Sequence, residues 1–167
     1  MNKKRIIVLA TIFIVALTFI YYSKPIKTSE ELQGIILNKA AEDRIEKASI
    51  RFEGYTYRKL FKPNTFRGHI YINDKKYPHA NFQLLKDSFS EVLYWNGDEN
   101  SPVDGIFVSL GRVFVDKSFN SLEFRLTNEE GVGNNKVLVA PATTLKEAQD
   151  IMDEIKYIIG EKYAMKY

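Results

Sequence analysis

At 167 residues, with 45% apolar content, 11 Phe and 10 Tyr, the chain suits one packed domain plus a short appendage and excludes a disordered polypeptide. Its net charge of +3 comes from the first 27 residues, which hold Lys3, Lys4, Arg5, Lys24 and Lys27 and no acid; the rest has 19 basic against 21 acidic residues, without the basic excess that nucleic-acid binding draws on. With no cysteine, the chain has no disulfide, thiolate metal site, thiol nucleophile or lipid-modified cysteine.

Residues 1–5 form a basic flank, and Ile6 to Tyr22 then run for 17 residues without a charge, 11 of them Ile, Leu, Val or Phe. A helix of that length spans roughly 25 Å, within the range that crosses a bilayer. The sequence therefore predicts a transmembrane signal-anchor helix over 6–22, with the lipid bilayer as its partner. The excess of positive charge before the span keeps the N-terminus cytoplasmic and places the remainder outside, with Tyr21 and Tyr22 at the interface. Secretion after signal cleavage is the alternative, but Ile20, Tyr21 and Tyr22 crowd the positions where a cleavage site needs small side chains.

Residues 23–27 read as a linker, stiffened by Pro25, and 28–167 as an extracytoplasmic domain. Thr28-Ser29-Glu30-Glu31 has the form of a capping box, and Leu32, Ile35 and Ile36 follow at helical spacing. A helix is expected there, ending between Ala41 and Lys47.

From Ile50 to Val139 the apolar period changes to two. Phe66, Gly68, Ile70 and Ile72 alternate with Arg67, His69, Tyr71 and Asn73, and Leu122, Phe124 and Leu126 with Glu123, Arg125 and Thr127. Further strands are predicted near 50–58, 80–85, 91–95, 105–110, 112–116 and 136–139. Turns fall at Lys62-Pro63-Asn64, Asn73-Asp74, Asn96-Gly97-Asp98, Ser118–Ser121 and Gly131–Asn135. The chain closes with a second capping box, Thr144 to Glu147, and an apolar stripe of Leu145, Ala148, Met152, Ile155 and Ile159, widened by Ile151 and Ile158. The expected fold class is α+β: a transmembrane helix, an antiparallel meander of six to eight strands preceded by a short helix, and a C-terminal amphipathic helix packed on the sheet.

Candidate sites are few. His69 and His79 would need a carboxylate such as Asp74 to form a two-histidine metal centre; two exposed histidines in a hairpin is the plainer reading. Asn96 to Asn100 places oxygen ligands at alternate positions, but Ser101 and Phe107 stand where a calcium loop requires glycine and glutamate. Gly131-Val132-Gly133 lacks the spacing of a phosphate loop, and Ser109 lacks the leading glycine of a nucleophile elbow. No cofactor or metal is expected.

Two surfaces remain. Arg58, Lys59, Lys62, Arg67, Lys75 and Lys76, interleaved with Tyr55, Tyr57, Phe61, Phe66 and Tyr71, form a candidate contact for anionic lipid or an acidic wall polymer. Tyr94 and Trp95 are candidate recognition aromatics, with core packing of one of them the plainer expectation. The function expected is a non-enzymatic binding or accessory module of the cell envelope; an anchored hydrolase acting on envelope material, or an immunity or inhibitor protein with one protein partner, are the alternatives.

Overall fold

A computed structural model describes residues 3–38, 45–97, 105–116, 118–127 and 136–164, with side chains described up to residue 160. An N-terminal helix α1 (Lys3–Ser23) is followed by strands β1 (Ile26–Asn38), β2 (Ile45–Tyr57), β3 (Asn64–Ile72), β4 (Lys75–Leu84), β5 (Ser90–Asn96), β6 (Ile106–Val115), β7 (Leu122–Leu126) and β8 (Lys136–Ala140). A C-terminal helix α2 (Leu145–Ala164) is the last described element. Each strand pairs antiparallel with the next and β8 returns to β1, so the eight strands close an up-and-down barrel.

The helix expected after Thr28 is absent; these residues form β1, which pairs with β2 from Ile26↔Thr56 to Leu37↔Ile45. The helical spacing of Leu32, Ile35 and Ile36 has a different cause. Leu32 and Ile36 face the barrel interior, whereas Ile35 and Leu37 face outward and are covered by α2. A strand buried on both faces loses its period of two. Of the expected helix end between Ala41 and Lys47, residues 39–44 lie outside the described residues and 45–47 already belong to β2.

Two strands were also expected on either side of Gly111, and one continuous strand, β6, is found. Gly111 adopts φ 138° at a bulge, where Val92 pairs with Gly111 and Leu93 with Ser109. Glycine takes that conformation without a Cβ clash, so the residue that looks like a break only bends the strand. The Asn73-Asp74 turn links β3 and β4 as expected, with Asn73 in the left-handed region at φ 53°.

The interior is filled by the barrel's own side chains. Phe52, Phe66 and Phe82 pack with tilted and edge-on rings 5.1–6.0 Å apart, surrounded by Ile50, Ile70, Val92, Leu122 and Leu138. Phe119, from the β6–β7 connection, turns inward at φ 57° and meets Phe52 at 5.1 Å, plugging one end. Around that end lie the C-terminus of α1, the start of β1 and the β2–β3, β4–β5 and β6–β7 connections, as the alternating strand directions require.

α2 packs on the outside of the barrel against β7 and β8. Ala148, Ile151 and Met152 cover Ile35, Val137 and Val139. At its start, the Glu147 N–H donates to the Thr144 hydroxyl, while the Glu147 carboxylate accepts from the N–H and hydroxyl of Thr143 at 2.7 and 2.9 Å. The reciprocal cap thus spans Thr143 and Thr144, one residue wider than the expected box.

Candidate binding surface

With its interior filled, the barrel offers partners its outer face and its ends. The outward positions of β2 and β3 carry Arg51, Glu53, Tyr55, Tyr57, Arg67, His69 and Tyr71. Direct cross-strand pairing sets Arg51 opposite Tyr71, Glu53 opposite His69 and Tyr55 opposite Arg67. The Arg51 guanidinium lies 4.3 Å from the centre of the Tyr71 ring and 3.1 Å from the Glu53 carboxylate; Arg67 stacks on Tyr57 at 5.5 Å. These contacts hold flat cations against aromatic faces and leave much of each side chain wet.

Beside this face the sheet is irregular. Between Gly68↔Ala80 and Ile70↔Tyr77, His69 of β3 stands against both Pro78 and His79 of β4. His79 adopts φ 51°, and the two imidazoles lie 5.7 Å apart, edge to face. The next seam is narrow, because β4 and β5 share a single paired position, Asn81↔Leu93. An open groove runs over it, lined by Arg67, Gly68, His79, Ala80, Asn81 and Phe107. It offers a guanidinium, an imidazole and an amide beside the exposed Phe107 ring, a set suited to a ligand with hydrogen-bond acceptors and one flat apolar side.

The two aromatics of β5 part company. Tyr94 packs against the core, edge-on to Tyr77 at 5.1 Å. Trp95 faces outward and stacks on Phe107 at 5.3 Å, continuing the groove into an apolar patch with the exposed Leu93. Phe107 and Asn81 therefore join the candidate surface although the sequence had not singled them out for binding; the alternation of Phe107 and Ser109 on β6 is the signal that both point outward.

The six basic candidates do not form one patch. Arg58, Lys59 and Lys62 occupy the β2–β3 connection at the α1 end, Arg67 sits midway along β3, and Lys75 and Lys76 follow the turn at the far end as the first residues of β4. Nine residues of β3 separate the outer groups, roughly 30 Å at about 3.3 Å per residue. Asp74 stands in that far turn, away from the β3–β4 irregularity that joins the two histidines. Among the described residues no three His, Asp or Glu side chains are placed to hold a metal ion. Ser109 pairs with Leu93 and does not line the groove. The Asn96–Asn100 loop beyond Gly97 and the Gly131–Asn135 segment lie outside the described residues.

At the opposite wall, Glu123 of β7 is buried and bonded to Arg125 at 2.7 Å, and Arg125 in turn lies 4.0 Å over Phe89. One Glu123 carboxylate oxygen is buried without a hydrogen-bond partner. This pair ties β7 to the β4–β5 connection and faces no groove described above.

No protein family, curated protein or solved structure matches the chain.

Proposed function

We propose that this chain is a membrane-tethered, non-enzymatic binding or accessory module of the cell envelope, with its N-terminus in the cytoplasm and its barrel outside. The observation that carries the reading is the state of α1. None of its residues is buried, although Ile6 to Tyr21 expose a continuous apolar surface. A helix belonging to the core of a water-soluble domain would bury such a face. Its 21 residues make about 31 Å of helix, close to the thickness of a hydrocarbon core. The hydroxyls of Thr11 and Thr18 donate to the carbonyls of Ile7 and Ile14 at 3.0 and 2.8 Å, which suits a medium that offers them no water.

The binding role is supported by the filled interior, which leaves recognition to the outside, and by the groove that joins Arg67, His79 and Asn81 to Phe107. The test is fractionation of the full-length protein. It is expected to stay with membranes through alkaline carbonate, to need detergent for release, and to lose its barrel to protease added from outside. Intact barrel in detergent-free lysate, or a mature form free in the medium starting near Lys24, overturns the tether. Capture from detergent extracts should then bring down one stoichiometric envelope partner, and capture by an Arg67→Ala, Phe107→Ala variant should not.

A further inference from the structure

The connection between β2 and β3 reads Arg58-Lys59-Leu60-Phe61-Lys62-Pro63, two large apolar residues enclosed by three cations. Its side chains are presented in an unusual way for a loop on a barrel rim. Phe61 is 96% exposed, and Leu60 is about half exposed. The connection is nevertheless held in shape. Lys59 N–H donates to the Asn64 side-chain oxygen at 3.3 Å, Phe61 adopts φ 61°, and the Arg58 guanidinium sits 4.0 Å over the ring of Tyr21 in α1. Phe61 is thus pushed outward from a fixed base, at the end of the barrel where α1 leaves it.

We infer that this connection is a second membrane contact, in which Leu60 and Phe61 enter the bilayer interface beside α1 while Lys59 and Lys62 face anionic lipid headgroups. The inference rests on the transmembrane reading of α1 and deepens it. Only Lys24 and Pro25 separate α1 from β1. Two residues reach roughly 7–10 Å when extended, so the rim of the barrel stays at the membrane surface. Leu60 also shares a groove with Val15, Thr18, Phe19 and Tyr22. Val15 lies eight residues before Ser23 along the helix, about 12 Å deeper at about 1.5 Å per residue. Since α1 is barely as long as the hydrocarbon is thick, it cannot be withdrawn from the bilayer to leave that groove in water. A side chain beside Phe19 and Tyr22 is then at the level of acyl chains and headgroups.

Charge at this level favours an anionic surface. Lys24 and Lys27 stand beside the same rim as Arg58, Lys59 and Lys62. Asp87 and Asp116 lie in neighbouring connections, and Asp116 is turned to the N–H groups of Asn120 and Ser121. Exposed Tyr55 and Tyr57, at the adjoining end of β2, extend the ring of Tyr21 and Tyr22 in the manner of an interfacial aromatic belt.

The absence of cysteine allows a direct test with single nitroxide labels. Phe61→Cys, Ile12→Cys and Lys75→Cys would each be labelled in the full-length chain, reconstituted in phosphatidylcholine vesicles with and without phosphatidylglycerol. The readout is collision with oxygen, which concentrates in lipid, against collision with a water-soluble nickel complex. Ile12 should favour oxygen and Lys75 nickel. Phe61 should favour oxygen, and more strongly when phosphatidylglycerol is present. A Phe61 label in water with Ile12 in lipid overturns this inference and leaves the anchor standing. Both labels in water overturn the anchor and the inference together. Equal exposure of Phe61 and Lys75 to lipid also overturns it, because the barrel would then not stand on its α1 end. A Phe61 depth independent of phosphatidylglycerol removes the headgroup contact.

Discussion

Glu147 shows how one exposed carboxylate fixes the start of a helix. The Thr143 N–H donates to it, the Thr143 hydroxyl adds a second bond, and together they hold its carboxyl below the ordinary value of 4.5. Because the folded value is the lower one, the cap's contribution is complete above the ordinary carboxylate range. It is lost as pH falls through the folded value. Protection of the first-turn amides of α2, measured against their intrinsic exchange rates, should therefore fall on acidification below that range, and Glu147→Gln should flatten the dependence; unchanged protection would mean the cap has no part in holding α2. Glu123 is the contrasting case, a buried carboxylate whose counter-charge comes from the same strand. Removing that counter-charge leaves an uncompensated acid. Arg125→Met should cost on the order of 1–3 kcal/mol in denaturant unfolding, after allowance for the partial exposure of Arg125. Adding Glu123→Gln should recover part of the loss.

At the scale of the strand, curvature depends on where two backbones can touch. Gly54 of β2 and Gly68 of β3 are directly paired, and a Cβ on either would collide with the opposing strand: Gly68 with the carbonyl of Glu53, Gly54 with that of Arg67. No flexible side chain is available to yield there. Gly68→Ala should lower the unfolding midpoint and disturb the irregular β3–β4 pairing that aligns His69 with His79, visible as altered histidine ring shifts in NMR. Unaltered stability would show that the strands can separate at no cost. The same element scale accounts for β1. Thr28, Glu31 and the spacing of Leu32, Ile35 and Ile36 are as good a local description of a helix as of a strand. Pairing with β2 along twelve positions, with β8 beyond it, outweighs what one capping box contributes.

For the whole molecule, closure brings the inward faces of eight strands into one core. Phe52 lies at the centre of that core, fully buried and in contact with Phe66, Phe82 and Phe119. Phe52→Ala should cost about 3–5 kcal/mol. The loss should appear in far-ultraviolet dichroism and in Trp95 fluorescence with one midpoint; separate midpoints would contradict a single cooperative barrel. The filled interior also sets where recognition can occur. The outer groove lies on β3, β4 and β6, and the Leu60–Phe61 rim lies against α1, so the two surfaces belong to different faces.

Some of this was present in local sequence alone. A run of 17 uncharged, mostly apolar residues predicts α1, the Thr144 cap and its stripe predict α2, and period-two alternation from Phe66 to Asn73 predicts β3 and the turn that ends it, although β4 starts at Lys75, five residues before the expected strand at 80–85. Each is written within a few residues, because capping, turn chemistry and amphipathic period act over one or two turns of chain. The tertiary structure decided the remainder: that residues 26–38 form a strand, that β8 returns to β1, that Tyr94 goes inward and Trp95 outward, and that Leu60 lies beside Phe19. Those outcomes depend on partners tens of residues away, whose contacts exist only once the barrel has closed.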